Sequence, residues 1–264
     1  MFDFNRDYTT QLTGAQLNLI QRFFDDQDRT GFQNLDDDRD VLFLAPSTRS
    51  LSINAQGGND IIDIGSTSSA AQAGHTVYGG TGNDTIQLGS GNDTVYAGFD
   101  DDSVEAGLGN DLIYGGQGND YLVGDSLIFV AGGNDTISGG SGNDRIIGLR
   151  GADDMTGGSG ADTFIYFNHL ESAAGARDEI FDFNRTEGDK IDLHAMDADL
   201  TRANNQDFTF SITGPSTAAG SVWATGSGTD WTVFVNVDGG AADMAIDVTL
   251  AGGTTDLARG DFIL

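Results

Sequence analysis

Cysteine is absent from the 264 residues, which excludes a disulfide framework and any thiolate metal site. Positive charge is scarce. Lys and Arg total 12 against 41 Asp and Glu, a formal net charge of −29, and Lys190 is the only lysine. A chain of that sign does not hold nucleic acid through its phosphates. No apolar run approaches the length needed to cross a bilayer, so no integral membrane segment is expected. The start, Met1-Phe2-Asp3-Phe4-Asn5-Arg6-Asp7, lacks the basic and apolar regions of a signal peptide. Histidine is limited to His75, His169 and His194, none in H-E-x-x-H spacing, and no G-x-S-x-G elbow occurs. The chain therefore reads as no enzyme, with a carboxylate-based hydrolase on its surface as the open alternative.

What the chain has is glycine, 39 residues of it, laid out with a period of nine. Gly79-Gly80-Thr81-Gly82-Asn83-Asp84-Thr85-Ile86-Gln87 is followed by Leu88-Gly89-Ser90-Gly91-Asn92-Asp93-Thr94-Val95-Tyr96, and three further copies run to Val123. Glycine dominates the first four places, Asp holds the sixth and an aliphatic residue the eighth. A tract such as Thr94-Val95-Tyr96 is a very short strand with one side chain inward. The glycines permit positive φ and leave carbonyl oxygens bare at the turn. With a carboxylate at the sixth place, the donors are hard oxygens in a flexible loop, which is the chemistry of Ca²⁺.

Two nonapeptides make one coil, so Asp84, Asp102 and Asp120 are expected on one edge and Asp93 and Asp111 on the other. Asp60 extends the register on the N-terminal side, and Asp135, Asp144, Asp153 and Asp162 extend it on the C-terminal side, with eighth-place residues Ile62, Ile137, Ile146, Met155 and Phe164. The glycines expected to present carbonyls are Gly80, Gly82, Gly89, Gly91, Gly107, Gly109, Gly116, Gly118, Gly133, Gly140, Gly142, Gly151, Gly158 and Gly160. Asp100 replaces a fourth-place glycine, which removes a permissive residue and adds charge. His75 takes an Asp place, and no ion is expected from its turn. Two insertions break the count, each lengthening the Asp spacing by six: one in a Ser-, Ala- and Gly-rich stretch at 65–74, and one in 124–131, whose Leu127-Ile128-Phe129-Val130 reads as a local cap or a contact patch. Stacked carboxylates repel, so without counter-ions the roll should be poorly folded, and roughly eight Ca²⁺ would turn binding free energy into folding free energy.

Residues 10–24 carry a helical pattern, with Thr13 as N-cap and Leu17, Ile20, Phe23 and Phe24 on one side. Asp26, Asp28, Thr30 and Asp37 echo the spacing of an EF-hand loop; a solvated acidic turn is the other reading. Beyond Tyr166, alternating tracts around Phe208–Ile212, Trp231–Val237 and Met244–Leu250 predict an antiparallel sandwich packed on the end of the roll, with Trp223 and Trp231 as core or strand-face residues. Phe2-Asp3-Phe4-Asn5-Arg6 recurs as Phe181-Asp182-Phe183-Asn184-Arg185, by chance or because an N-terminal strand can add to a neighbouring molecule. The fold class is thus all-β: a right-handed parallel β-roll at 51–165, an N-terminal cap with one helix at 1–50, and a C-terminal β-sandwich cap at 166–264.

The nonapeptides resemble those of the RTX family of secreted bacterial proteins. Gly160-Ala161-Asp162-Thr163-Phe164, Asp178-Glu179-Ile180-Phe181-Asp182-Phe183 and Gly188-Asp189-Lys190-Ile191-Asp192-Leu193 resemble the C-terminal region of serralysin-type proteases, without their protease domain. Asp261-Phe262-Ile263-Leu264 is similar to their uncleaved type I secretion signal. The resemblance implies export from a Gram-negative cell by the type I secretion machinery, with folding on calcium outside. Two roles follow as expectations: a structural, self-associating protein of the cell surface or extracellular matrix, or a module that binds an acidic polysaccharide or host surface through Ca²⁺.

Overall fold

The computed structural model describes residues 32–35, 39–65, 72–126, 132–173, 175–198, 200, 206–211 and 214–264. The helix predicted at 10–24, the EF-hand-like Asp26, Asp28, Thr30 and Asp37, the Phe2–Arg6 segment and the apolar stretch 127–131 lie outside the described residues.

A nine-residue period gives two short strands per coil, and the coils stack into two facing sheets. The first sheet takes Phe32–Asn34, Ser52–Asn54, Thr76–Thr81, Thr94–Phe99, Leu112–Gln117, Thr136–Ser141, Asp154–Ser159 and Glu179–Phe183 in that order, all parallel. The second runs from Val41–Leu44 through Ile61–Ile64, Thr85–Gln87, Ser103–Glu105, Tyr121–Val123, Arg145–Ile147, Thr163–Ile165 and Lys190–Asp192 to Phe262–Ile263. Neither insertion breaks the stacking. Tyr114 pairs with Ser138 across the second insertion in the register by which it pairs with Tyr96 on the other side.

The eighth-place side chains fill the space between the sheets. Ile62, Val77, Ile86, Val95, Val104, Ile113, Leu122, Ile137, Ile146, Met155 and Phe164 are all buried in one continuous cluster. Their neighbours alternate outward, as the pleat requires. On the first sheet this leaves Tyr78, Tyr96 and Tyr114 exposed and stacked, with ring centroids 5.0 and 5.1 Å apart. On the second sheet, outward Val123, Ile147 and Ile165 are buried in a small separate cluster.

Two of the three predicted antiparallel tracts form such strands, but they continue the roll edge-on, and the first is only Thr209–Phe210, which pairs parallel to Ser221–Ser227. Met244–Leu250 adds parallel to Glu179–Phe183, and Asp230–Asn236 and Ser221–Ser227 follow antiparallel in the same sheet. The core continues with them: Ile246, Val248, Val233 and Val235 belong to the same cluster as Ile113, and Phe210 stacks on Phe262 at 5.2 Å. The reason is the backbone, because the last parallel strand leaves a row of amides and carbonyls that only another strand satisfies. Trp231 packs against this core, and buried Trp223 stacks on Phe234. The closing strand Phe262–Ile263 is tied down by Arg185, whose guanidinium meets Asp261 at 2.8 Å and Asp256 at 2.9 Å.

Inward and outward neighbours on one strand should differ in weight. Replacing Ile113 by Ala should lower the unfolding free energy of the calcium-loaded chain by about 2–5 kcal/mol. Tyr114→Ala should cost only about 1 kcal/mol, the worth of an exposed aromatic stack. Chemical denaturation followed by circular dichroism separates the two.

Candidate metal centre

The site is built from the sixth-place residues. Each Asp turns back along the roll, and its Oδ1 accepts the backbone amide of its counterpart one coil earlier. On one edge the amides of Asp40, Asp60, Asp84, Asp102, Asp120, Asp144 and Asp162 donate in turn to Asp60, Asp84, Asp102, Asp120, Asp144, Asp162 and Asp189, at 2.7 to 3.0 Å. On the other, the amides of His75, Asp93, Asp111, Asp135 and Asp153 donate to Asp93, Asp111, Asp135, Asp153 and Asp178. The step is eighteen between uninterrupted repeats and twenty-four across the insertions, and at the ends of the ladders it is twenty from Asp40 to Asp60, twenty-five from Asp153 to Asp178 and twenty-seven from Asp162 to Asp189.

Each ladder uses one oxygen and leaves the other. Oδ2 of Asp84, Asp102, Asp120, Asp144 and Asp162, and of Asp93, Asp111, Asp135, Asp153 and Asp178, is buried without a hydrogen-bond partner. Buried polar atoms are otherwise nearly always paired, so a row of such oxygens calls for a cationic partner. Among the described residues no three His, Cys, Asp or Glu side chains gather as a metal-holding group. An ion between coils would therefore complete its shell with backbone oxygens.

The glycines meet that need. In the second and fourth places most carry positive φ, such as Gly80 (109°), Gly82 (104°), Gly116 (117°) and Gly118 (132°), and a Cβ at Gly98, Gly116, Gly140 or Gly158 would collide with the carbonyl oxygen of the glycine one coil earlier. The stacking of bare carbonyls is what requires glycine here. Three other residues take left-handed backbone in the same places: Gln56 and Leu149 in the second, and Asp100 (φ 73°) in the fourth. Asp100 is exposed, and its Oδ2 accepts the Gly82 amide at 3.1 Å, so it stands on the rim outside the buried ladder. The donor set fits Ca²⁺: hard oxygens only, from one carboxylate per turn and the carbonyls beside it.

Electrostatics point the same way. Burial pushes Asp84, Asp93 and Asp120 up to about 6, Asp111 and Asp144 to about 7 and Asp102 to about 8, from an ordinary 3.8. Asp135, buried and surrounded by Asp153, Asp111 and Asp125, is pushed up to about 10. Asp153 and Asp178 are also raised, first by burial, and Asp178 further by the Asp153 charge.

Four features of the site were missed from sequence. Asp178 and Asp189 extend the two ladders past the last nonapeptide, and their place in Asp178-Glu179-Ile180 and Gly188-Asp189-Lys190-Ile191, each two residues before a buried Ile, was the available signal. Asp125 is buried in the second insertion, where its two oxygens accept the amides of Gly133 and Arg150, and nothing in the repeat pattern marks it. The fifth-place Asn residues form outer ladders of opposite lean. The amides of Asn83, Asn143 and Ala161 donate to the side-chain oxygens of Asn59, Asn119 and Asn143, and those of Asn110, Asn134 and Ala152 donate to Asn92, Asn110 and Asn134. Asp101 stands in for Asn in one turn, accepting from Asn119 at 2.7 Å.

Residues 76–104 match the RTX calcium-binding nonapeptide repeat, and residues 103–264, more than half of the chain, match the C-terminal domain of the M10 serralysin peptidases. The chain belongs to this serralysin C-terminal family. It is a calcium-binding repeat protein of RTX type, and only the C-terminal, non-catalytic part of the peptidases is matched. Among curated proteins nothing matches. Solved structures similar to this serralysin C-terminal chain include the AlgE6R2 and AlgE6R3 subunits of the Azotobacter vinelandii mannuronan C5-epimerase. They are 23% and 25% identical over 59% and 57% of this chain and 88% and 71% of theirs, with TM-scores of 0.40 and 0.25. The extracellular lipase LipA of Serratia marcescens is 16% identical, over 90% of this chain and 40% of the lipase, with a TM-score of 0.27.

A pH dependence follows for the calcium-free chain. Burial raises Asp93, Asp111 and Asp102 from an ordinary 3.8 to about 6, 7 and 8, and Asp135 further, so between the unfolded and folded values the folded form binds more protons. Its stability falls as pH rises from about 4 to about 8. Calcium-free protein brought from pH 8 to pH 5 should therefore gain β signal in circular dichroism. In excess calcium the sense reverses, because protons compete with the metal.

Proposed function

We propose that the protein is a secreted β-roll that folds on Ca²⁺ outside a Gram-negative cell, after export by the type I secretion machinery. Its role on this reading is structural and self-associating, at the cell surface or in the extracellular matrix. The observation that carries the calcium part is the pair of ladders of buried, unpartnered carboxylate oxygens in a chain of net charge −29. Bound calcium supplies the positive charge that lets those carboxylates stay ionised inside the roll. The chain's own part is to hold the oxygens in place. Asp60, Asp84, Asp102, Asp120, Asp144 and Asp162 do so on one edge and Asp93, Asp111, Asp135 and Asp153 on the other, with carbonyls of the second- and fourth-place glycines and Asp100 at the rim. Of the expected caps at 1–50 and 166–264, Phe32–Asn34, Val41–Leu44, Glu179–Phe183 and Lys190–Asp192 continue the two sheets of the roll, and on this reading the remainder caps the metal-dependent unit.

Self-association is supported by the outer face of the first sheet. Tyr78, Tyr96 and Tyr114 form an exposed aromatic row there, and Phe99, half exposed, stands beside it. An aromatic strip on a regular flat face favours contact with a second regular surface. A second reading, Ca²⁺-dependent binding of an acidic polysaccharide or host surface, is favoured by exposed Asp100 and Asp101 beside Phe99, which would need calcium to bridge to an acidic glycan. Neither reading contains a catalytic step.

Calcium titration of the full chain, followed by circular dichroism and light scattering together, tests both. Gain of β signal with growth into large ordered particles is expected. A monomer-sized folded particle retained on an acidic glycan matrix would move the assignment to the second reading, and full β signal in chelator at pH 8 would overturn the calcium-driven mechanism.

A further inference from the structure

His75 stands in the second ladder where the following coils carry Asp. Its ring copies the carboxylate geometry: Nδ1 accepts the Leu51 amide at 3.2 Å, as each Asp Oδ1 accepts an amide, and its own amide donates to Asp93 Oδ1 at 2.5 Å. The difference lies in the second atom. A ring nitrogen that accepts a hydrogen bond carries no proton, so in the neutral imidazole the proton is on Nε2. Only 2% of His75 is exposed, and Nε2 is buried without a hydrogen-bond partner. Where the next turn presents the anionic Oδ2 of Asp93, this turn presents an N–H.

We infer that His75 is the end stop of the metal ladder: its Nε2–H occupies the position of a ligand oxygen, so no cation is held between His75 and Asp93, and ions on this edge begin between Asp93 and Asp111. The inference rests on the calcium reading proposed above. The far end of the opposite ladder closes by a related device. Asp189 accepts the Asp162 amide on Oδ1 at 3.0 Å and the Asn184 amide on Oδ2 at 2.7 Å, which leaves no free oxygen pointing onward. Both ends are closed with hydrogen-bond chemistry in place of an ion. On the opposite edge the neighbouring coils keep carboxylates, Asp60 and Asp84, in the corresponding places.

The test is the number of ions carried by the full-length chain at saturating calcium, counted by native mass spectrometry. His75→Asp restores an anionic oxygen and should bind one more calcium ion than the wild type. His75→Asn keeps an acceptor for the Leu51 amide and a neutral N–H donor beyond it, and should bind the same number as the wild type. Equal counts in wild type and folded His75→Asp would overturn the inference while leaving the calcium reading in place, and so would loss of an ion in His75→Asn. A wild-type chain that binds no calcium overturns both. Nitrogen-15 spectra of the wild-type histidine rings supply an answer independent of the variants' folding. The His75 signal, assigned by its disappearance in His75→Asn, should show the Nε2-protonated tautomer in the folded, calcium-saturated chain. Absence of that proton there would identify His75 as a ligand and overturn the end stop.

Discussion

The structure depends on a hydrogen bond from a backbone amide to one oxygen of an aspartate on the next coil. Repeated along both edges of the roll, it satisfies the amides that the tight turns would otherwise leave bare, and it fixes each carboxyl group in orientation. Its by-product along most of both ladders is a second oxygen, buried and without a hydrogen-bond partner. A neutral side chain could serve the amide equally well, as His75 and the fifth-place Asn residues do. Choosing Asp couples turn formation to a cation, because the same group that closes the turn carries a charge that the interior cannot tolerate alone.

From that coupling comes the balance between order and charge. The inner faces supply one continuous apolar core, but each coil contributes only a few inward side chains of moderate size, such as Ile86, Leu88, Val95 and Ala97, so each added coil brings limited burial together with two buried carboxyls. The carboxyls of Asp102, Asp111 and Asp144 sit near or above neutrality once buried. Protons or calcium can each neutralise them, and as pH rises protons become scarce and the metal is the remaining partner. The C-terminal strands Ser221–Ser227, Asp230–Asn236 and Met244–Leu250 extend the first sheet with longer strands whose inward residues, among them Val233, Val235 and Ile246, continue the apolar core without a ladder of buried carboxyls.

Much of this was legible because a nine-residue period leaves few options. Asp in place six, a β-branched or aliphatic residue in place eight and glycine around them imply two strands per coil, and Ile86, Val95 and Ile113 are buried where the period puts them. The ends of the pattern were less legible. Asp178 and Asp189 stand in turns without the glycines that mark the repeat, so their place in the ladders shows only when the coils are stacked. Asp125 belongs to an insertion and has no repeat partner, and the Asn ladders involve a residue whose role is invisible until one amide is seen to face another.

The sequence by itself determined the period, the inward residues, the two families of aspartates eighteen apart and the charge that makes a cation necessary, since all of these depend on residue type and spacing alone. The tertiary structure decided which oxygen of each aspartate is used by the backbone and which is left. It also decided which nitrogen of His75 holds the proton, and that the antiparallel strands join the roll by its edge. These are matters of hydrogen-bond direction between coils, and direction is set by how one turn sits on the next.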